Sequence, residues 1–519
     1  MAQINVTSLT FGYEGSFDNI FENISFSIDT NWKIGLIGRN GKGKTTFLNL
    51  LLGRYPYNGS ISRAVQMDYF PYEISEEMRE KCAADFLSDL KPDSEAWRVI
   101  CELEKLDASD QLLHRPFQLL SYGEQTKVLL AVLFSGENDF LLIDEPTNHL
   151  DQAARKIVKE YLGSKKGFML VSHERDLLDA CIDHVLVLNR KTMEVQSGNF
   201  SSWWENKTRK DQFAESENEK HLREISALKK AAEQSGRWAQ KSESSKIGFD
   251  PVKEHDRSIA SRSYIGAKTK KIQKRVKQYE QRLEREVEEK EGLLQDLENP
   301  VSLKMNVMDY HKDILIYAKD LSIQYQADPR PVLQHFDFEL KRGERVFLHG
   351  KNGCGKSTFL KAILAGGEET NIFTTGELQV GSGLIISYIN QDTSFLHGDI
   401  REFCRLKNME VSLFCALLRQ LDMERVQFEK PMESYSEGQK KKVLIAASLM
   451  SQAHLYIWDE PLNYIDVFTR MQMEEVVLAY RPTMIVVDHD IRFQEKIATR
   501  VVEMLQSDKV TGSQTVRQF

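Results

Sequence analysis

The chain has 519 residues, of which 41% are hydrophobic, and its formal net charge is −8 at pH 7. This length predicts two or three domains with full hydrophobic cores, and the acidic balance argues against a protein that coats nucleic acid over its whole surface. No run of about 20 apolar residues is present, so we expect neither a membrane-spanning helix nor an intrinsic transport pore.

The amino-terminal residues enter a strand-like pattern directly, without a basic leader followed by an apolar core. We therefore expect a cytoplasmic protein with no secretion signal and no membrane partner. The cysteines are too scattered for a metal site or a disulfide framework, which predicts reduced core or loop residues. They are Cys82, Cys101, Cys181, Cys354, Cys404 and Cys415.

Residues 1–200 begin with alternating strand-like segments and then reach a glycine-rich loop, Gly38–Thr45, that follows the apolar strand IGLI. The loop fits the pattern G-x-x-x-x-G-K-[ST], in which backbone N–H groups wrap the β-phosphate of a nucleotide. Lys44 would supply a cation to the β- and γ-phosphate oxygens, and Thr45 would bind magnesium. The candidate nucleotide-binding residues here are Gly38, Asn40, Gly41, Gly43, Lys44, Thr45 and Thr46.

Further along this first copy, the apolar strand in FLLIDEPTNHLD delivers two adjacent carboxylates. Asp144 would hold magnesium directly or through water, and Glu145 would polarise the water that attacks the γ-phosphate. His173 ends another apolar strand, 28 residues after Glu145. A lone histidine there is more often a packing or capping residue, so its assignment depends on whether the arrangement recurs.

Residues 201–300 are rich in Lys, Glu, Arg and Gln. Apolar residues recur at helical spacing in both halves, and a Ser-, Gly- and Pro-containing stretch at 242–258 separates them, which predicts an antiparallel helical hairpin linker. The segment Arg237–Lys277 carries twelve Lys or Arg against four Asp or Glu, a local charge of +8. This local positive charge is typical of a hairpin tip that binds a polyanion. It is equally typical of a solvated, charged coiled coil that only separates the two flanking domains.

Residues 301–519 repeat the same motifs in the same order. The loop lysine and the glutamate are 101 residues apart in the first copy and 104 in the second, and the histidine follows after 28 and 29 residues. This recurrence favours a γ-phosphate contact for both histidines, and it predicts two α/β domains with ligands at the strand ends. The second set comprises Gly350, Asn352, Gly353, Gly355, Lys356, Ser357 and Thr358 for nucleotide, Ser357 and Asp459 for magnesium, and Glu460 and His489 for catalysis.

A further short motif precedes each acidic strand, LLSYGEQTK in the first copy and SYSEGQKKK in the second. With the phosphate loops, these motifs resemble the ATP-binding cassette superfamily, which implies two tandem cassettes that bind ATP and Mg²⁺ and hydrolyse ATP. In that family each ATP lies between the phosphate loop of one cassette and the signature motif of the other. The signature candidates are Ser121, Gly123 and Glu124 in the first copy and Ser436, Gly438 and Gln439 in the second.

The resemblance implies two composite sites. Site one would join Lys44 and Glu145 to the second signature, and site two would join Lys356 and Glu460 to the first. Gln391 matches the family's glutamine that approaches magnesium. Two tyrosines upstream of the loops resemble the aromatic on which adenine stacks, although core packing is an alternative. They are Tyr13 and Tyr325.

Three positions depart from the family pattern. Tyr122 and Glu437 replace the usual first glycine of the signature, and Tyr72 stands where the family often has glutamine. A carboxylate at position 437 would weaken site one unless its side chain points away. We therefore predict unequal hydrolysis at the two sites.

Two cassettes joined by a helical linker of about a hundred residues resemble the ABC-F group. The segments DTNWKIGLIGRNGKGKTT and LYIWDEPLNYIDVF resemble its Lsa-type antibiotic-resistance subgroup. This implies a monomer whose two cassettes pair and bind the exit-tRNA site of the bacterial ribosome. The linker tip would reach P-site tRNA and large-subunit rRNA, and lincosamides, pleuromutilins or streptogramin A compounds would be displaced. The candidate tip residues that would contact RNA phosphate are Lys268, Lys270, Lys271, Lys274 and Arg275. Three aromatic residues near the turn would stack on RNA or approach the drug region, and packing within the hairpin is an equal alternative for each; they are Trp238, Phe249 and Tyr264.

Two other functions remain open from the sequence. A housekeeping translation factor of the same group would carry the same motifs, and only a drug-dependent phenotype separates it from a resistance factor. A non-ribosomal cassette ATPase, such as a transporter motor without its membrane partner, would gain little from a basic projecting linker.

Overall fold

The computed structural model separates into two compact units, Met1–Trp203 with Val301–Phe519 in one and Trp204–Pro300 in the other. It describes residues 2–13, 19–63, 65–92, 94–136, 139–148, 150–188, 193–244, 274, 278–279, 282, 303–326, 328–351, 353–366, 372–504 and 516–518. Within these ranges, no helix is both long enough and apolar enough to cross a bilayer.

The first copy combines a mainly parallel six-stranded sheet, in the order β5-β6-β7-β3-β8-β9, with a three-stranded antiparallel sheet, β2-β1-β4. Its strands are β1 (Gln3–Phe11), β2 (Phe21–Asp29), β3 (Lys33–Gly38), β4 (Asn58–Arg63), β5 (Gln66–Phe70), β6 (Asp139–Asp144), β7 (Phe168–Val171), β8 (His184–Leu188) and β9 (Met193–Ser197). Its helices are α1 (Lys44–Leu52), α2 (Glu76–Glu80), α3 (Ala83–Leu90), α4 (Ala96–Lys105), α5 (Tyr122–Leu133), α6 (Gln152–Ser164) and α7 (Arg175–Cys181).

The second copy repeats this plan, with a six-stranded sheet in the order β14-β15-β16-β12-β17-β18 and a three-stranded sheet, β11-β10-β13. Its strands are β10 (Ile314–Tyr325), β11 (Asp328–Lys341), β12 (Arg345–His349), β13 (Ile372–Val380), β14 (Ile386–Ile389), β15 (Leu455–Asp459), β16 (Met484–Val487), β17 (Arg500–Glu503) and β18 (Val516–Gln518). Its helices are α9 (Lys356–Leu364), α10 (Ile400–Leu406), α11 (Val411–Gln420), α12 (Glu437–Met450), α13 (Val467–Tyr480) and α14 (Ile491–Ile497). The predicted α/β class and the internal repeat are therefore confirmed.

The parallel strands are buried on both faces, as their continuous apolar runs require. Every residue of β7 and β15 is buried. Because the carboxyl ends of parallel strands meet at one edge, the phosphate loop after β3 and the carboxylates that end β6 lie at the same edge of the sheet. The second copy brings its loop and carboxylates together in the same way.

Helix α8 (Phe200–Ser244) starts in the last residues of the first unit's amino-terminal part and continues into the linker unit, where the first helix of the hairpin is predicted. The turn beyond Ser244 and most of the predicted return helix lie outside the described residues. Of the candidate tip residues, Lys274 is described and exposed. The side chains of the others fall outside the described part.

Candidate ATP sites

The first phosphate loop is held by its own lysine. Lys44 Nζ donates to the carbonyl of Gly38 at 2.7 Å and to Asn40 Oδ1 at 3.2 Å. Gly43 has φ 93°, and a Cβ there would lie 2.6 Å from Ile20, so this position requires glycine. Burial lowers the pKa of Lys44, and nearby carboxylates oppose that shift. The phosphates of a nucleotide would add the negative charge that the buried ammonium needs.

The two acidic residues of site one end β6 beside this loop. Thr45 Oγ1 donates to Asp144 Oδ2 at 2.9 Å, and Tyr69 donates to the same oxygen at 3.3 Å. His173 Nε2 lies 3.2 Å from Glu145 Oε1. Burial, with the neighbouring charge of Asp144, raises the pKa of Glu145 to about 8. Such a carboxyl group is a stronger base than an exposed glutamate.

Burial also keeps His173 neutral, because desolvation and the nearby charge of Lys44 hold the pKa of this histidine well below its usual value. In site two, burial and Arg155 lower the pKa of His489 to about 3. Both histidines are therefore neutral at pH 7, and each can present one N–H group to a phosphate oxygen.

The second cassette closes directly over the first phosphate loop. Asn40 Nδ2 donates to the carbonyl of Tyr464 at 2.7 Å. A Cβ on Gly438 would lie 2.7 Å from that carbonyl and 3.4 Å from Asn40 Nδ2, so only glycine allows this approach. Arg39 and Asp422 form an ion pair across the same junction. The second signature thus lies beside the loop with which the resemblance pairs it.

Site two is a cavity of about 480 Å³ that both cassettes line. Lys356 Nζ donates to the carbonyl of Gly350 at 2.7 Å, as its counterpart does in site one. Gln391 Nε2 donates to Glu460 Oε2 at 2.9 Å, while His489 Nε2 lies 4.0 Å from Glu460 Oε1. The second cassette contributes Tyr325, Val332, Gly353, Gly355, Lys356, Ser357, Thr358, Gln391, Glu460, Asn463 and His489 to the lining, and the first contributes Tyr122 and Arg155.

The donor sets fit a divalent cation beside each phosphate loop. Asp459 Oδ1 is buried and has no hydrogen-bond partner among the described residues, although Ser357 hydrogen-bonds to this carboxylate. Burial raises the pKa of Asp459, and it raises that of Asp144 as well. A buried carboxylate with an unused oxygen is stabilised when a hard cation coordinates it.

The two candidate adenine-stacking residues have equivalent surroundings. Tyr13 and Thr46 share a hydrogen bond of 2.9 Å, and Tyr325 and Thr358 share one of the same length. Tyr13 also makes an edge contact with Tyr55, with ring centroids 5.7 Å apart. Because 44% of the surface of Tyr13 is exposed, core packing leaves part of this residue accessible to a ligand.

Both signature serines cap the helix that follows them. Ser121 accepts from the backbone of Glu124, and the Glu124 carboxylate accepts from the backbone of Ser121 at 2.8 Å. Ser436 and Gln439 form the same reciprocal box at the start of α12. These boxes fix the amino ends of the helices, which favour negative charge.

The three departures from the family pattern have specific surroundings. Glu437 Oε2 accepts from Thr393 Oγ1 at 2.6 Å, within its own cassette. Tyr122 is 69% exposed and lines site two. The Tyr72 hydroxyl donates to Asp68 Oδ2 at 2.5 Å.

The sequence reasoning missed Tyr464 and Asp466, which act on site one from the loop after the candidate catalytic Glu460. The Tyr464 carbonyl meets the opposite phosphate loop, and Asp466 interacts electrostatically with Lys44. Asp466 is held by Lys442 Nζ at 3.3 Å, and Lys442 and Lys44 lower its pKa against the effect of burial. An aspartate six residues after the glutamate in both copies, Asp151 and Asp466, was the available signal.

A family model described as ABC transporter matches residues 21–148 and 333–463, about half of the chain. The chain belongs to the ATP-binding cassette family. It is 28% identical to the ribosome protection protein VmlR of Bacillus subtilis over 95% of this chain and 85% of that protein. It is 26% identical to the ATP-binding protein Uup of Buchnera aphidicola over 96% of this chain and 80% of that protein.

Among solved structures, an archaeal ribosome recycling factor in complex with a ribosomal stalk protein shares the fold, with a TM-score of 0.59. It is 18% identical over 96% of this chain and 87% of that chain. The family model confirms two tandem cassettes with ATP binding and ATPase activity, and the structural match supports the fold. The whole-chain relatives are ABC-F proteins, in agreement with the predicted group.

Proposed function

We propose that this ABC-F protein protects the bacterial ribosome from antibiotics that act at the peptidyl-transferase centre. The whole-chain similarity to a relative named as a ribosome protection protein carries this proposal. The protein would bind the tRNA exit site, with its linker extending to P-site tRNA and large-subunit rRNA. Lincosamides, pleuromutilins or streptogramin A compounds would then leave their site, as the Lsa-type resemblance implies.

The local charge of the linker supports an RNA partner. The segment Arg237–Lys277 has a charge of +8 in a chain whose total is −8, so the rest of the chain carries −16. Lysine and arginine contact RNA phosphates without reading base sequence, and such contacts weaken as salt rises. Such a charge distribution suits a factor whose basic linker binds ribosomal RNA while its acidic cassettes remain soluble.

In the proposed ATPase cycle, each site uses residues of both cassettes. Lys44 and Lys356 would bind β- and γ-phosphate oxygens, and the signature glycines would let backbone approach the γ-phosphate of the opposite site. Glu145 and Glu460 would take a proton from the attacking water, while His173 and His489 would donate to the γ-phosphate. The two histidines can play this role in their neutral state, because a neutral imidazole keeps one N–H donor.

Magnesium would be held by Thr45 and Asp144 in site one, and by Ser357, Gln391 and Asp459 in site two. It would neutralise phosphate charge during transfer of the γ-phosphoryl group. Two bound ATP molecules would favour the closed arrangement of the cassettes, and hydrolysis would remove the contacts to the γ-phosphate and favour opening. We propose a cytoplasmic monomer in which closure promotes ribosome binding and opening promotes release.

The test compares a tagged Glu145→Gln plus Glu460→Gln variant with wild type, both purified from bacterial lysate with ATP. The variant should retain ribosomes because it binds ATP without completing hydrolysis, and the measurement is ribosomal RNA per mole of protein. The matched control adds Lys44→Ala and Lys356→Ala, which remove the phosphate contacts and should abolish retention. Absence of ribosomal RNA from the hydrolysis-deficient variant would favour a non-ribosomal cassette ATPase.

A second measurement separates protection from a housekeeping role. Expression of the wild-type protein in a drug-sensitive host should raise the inhibitory concentration of a lincosamide or pleuromutilin and leave drug-free growth unchanged. Replacement of Lys268, Lys270 and Lys271 by glutamate should abolish this effect without abolishing ATP hydrolysis. Ribosome retention with no change in drug sensitivity would favour a housekeeping translation factor.

A further inference from the structure

Glu437 is the first residue of α12, where the signature of site one usually has glycine. Its carboxylate does not remain free: Oε2 accepts from Thr393 Oγ1 at 2.6 Å, and Oε1 accepts from Lys440 Nζ at 3.0 Å. Thr393 is buried, with 4% of its surface exposed. The side chain therefore joins the signature helix to the segment that follows Gln391, two residues away in sequence.

A second side chain of the same helix binds the other flank of Gln391. Lys441 Nζ donates to the carbonyl of Asn390 at 3.0 Å, and only 2% of Lys441 is exposed. Helix α12 thus holds the segment 390–393 at two points, one on each side of Gln391. We call these two contacts the α12 latch.

The latch connects residues that belong to different ATP sites. The amino end of α12 lies at site one, where Gly438 approaches Asn40 of the first phosphate loop. Gln391, between the two latched points, donates to the catalytic Glu460 of site two at 2.9 Å. A displacement of α12 at site one must therefore move Gln391 unless the latch breaks.

The first cassette lacks the two charged groups of this latch. Tyr122 and Thr126 occupy the positions of Glu437 and Lys441, and neither residue has a carboxylate or an ammonium group. Tyr72 occupies the position of Gln391, and its hydroxyl donates to Asp68 instead. The carboxylate and the ammonium group that form the latch are thus present at these positions in the second cassette and not in the first.

We propose that Glu437 and Lys441 are positioning residues that couple ATP occupancy at site one to hydrolysis at site two. An ATP γ-phosphate at site one draws the amino end of α12 toward the first phosphate loop. The latch carries Gln391 with the helix and sets the position of Glu460. This inference rests on the proposed assignment of the two composite sites, and it explains why a charged residue is tolerated within the second signature.

The test measures ATP turnover at each site separately. A Glu145→Gln background blocks hydrolysis at site one while that site still holds ATP, so the remaining turnover belongs to site two. In this background Thr393→Val removes the hydroxyl donor with little change of shape, and Thr393→Ser retains it. We expect kcat to fall about three- to tenfold for valine, which corresponds to one lost hydrogen bond, and to stay within about twofold for serine. KM for ATP should not change, because Thr393 does not touch the nucleotide site.

Two controls distinguish the latch from general loosening of this segment. Ser394→Ala removes a neighbouring hydroxyl that donates to Asp392 Oδ2 at 2.8 Å, outside the latch, and it should leave turnover unchanged. In a Glu460→Gln background, where site one supplies the turnover, Thr393→Val should have little effect, because Lys440 still holds the Glu437 carboxylate. Equal losses at both sites, or no loss at site two, would overturn the coupling. Absence of any turnover in the Glu145→Gln reference protein would instead contradict the assignment of the sites.

Discussion

Both candidate catalytic glutamates have a backbone conformation that costs free energy. Their φ angles are 51° at Glu145 and 49° at Glu460, in the left-handed region that non-glycine residues rarely adopt. Such a residue costs on the order of 1–3 kcal/mol and persists only where its surroundings hold it. Here the backbone N–H groups donate to Val171 and Val487 on the neighbouring strands, at 2.9 and 2.8 Å. Nothing in the sequence predicts this angle, because tertiary contacts impose it.

The raised pKa of Glu145 predicts a pH-dependent effect of Glu145→Gln on the nucleotide-free protein. The folded-state pKa of about 8 lies above the ordinary value of 4.5, so folding favours the protonated form. This contribution is complete below pH 4.5 and is lost as pH rises through 8, because the folded state must then bury a charge. The glutamine variant avoids that cost. We expect its melting temperature to exceed that of wild type increasingly from pH 6 to pH 9, and a constant difference across this range would contradict the shift.

The residue differences between the sites predict unequal catalytic losses. Glu145→Gln and Glu460→Gln should each remove about 10²- to 10⁴-fold of the hydrolysis at its own site. The total steady-state rate should nevertheless fall by different amounts, because the faster site dominates the sum. Turnover of each single variant, measured at saturating ATP, checks this expectation. Matching losses in total rate would show that the two sites hydrolyse equally.

At the scale of elements, the sequence predicted most of what lies within one cassette. Apolar runs predicted the buried strands, and the glycine-rich loops follow β3 and β12 as predicted. The capping boxes at Ser121 and Ser436 were not predicted, although Glu124 and Gln439 three residues later provide the local signal for them. The partners across the cassettes were not predictable, because Asp422 and Tyr464 meet the first loop through tertiary packing between segments far apart in the chain. The direction of the Glu437 side chain was open for the same reason.

Helices α7 and α13 are joined across the cassettes by a buried ion pair. Arg175 bonds to both carboxylate oxygens of Glu474, and Lys496 Nζ donates to the same carboxylate at 2.7 Å. Only 4% of the Arg175 side chain and 1% of the Glu474 side chain are exposed. Removing one member leaves a buried charge without its partner, which costs far more than loss of an exposed pair.

Glu474→Gln should therefore destabilise the cassette unit by about 3–5 kcal/mol, measured as a lower melting temperature of its unfolding transition. The matched control is Glu219→Gln, which removes an exposed pair with Arg223 at 3.1 Å in the linker helix and should cost about 0.3–0.5 kcal/mol. Equal effects of the two substitutions would show that the cross-cassette pair contributes no more than a surface contact.

At the scale of the whole molecule, the two cassettes are tied together at several places. Lys42 and Glu424 form a pair of 3.3 Å beside the first phosphate loop, and Arg492 of α14 donates to Asp179 of α7 at 2.5 Å. Both halves of each proposed site are thus present within one chain. Because the two cassettes belong to one chain, they can pair without a second copy of the protein. Closure should therefore be independent of protein concentration.

This arrangement predicts first-order behaviour of the ATPase. Activity per mole of protein should be constant from about 10 nM to about 10 µM, whereas sites completed by a second copy would lose activity on dilution by mass action. Mixing Lys44→Ala chains with Lys356→Ala chains gives a sharper measurement. If sites form only within one chain, the mixture should hydrolyse ATP at the mean of the two separate rates. A mixture that is faster than this mean would show that a phosphate loop of one chain pairs with the signature of another chain. That result would contradict the proposed monomer.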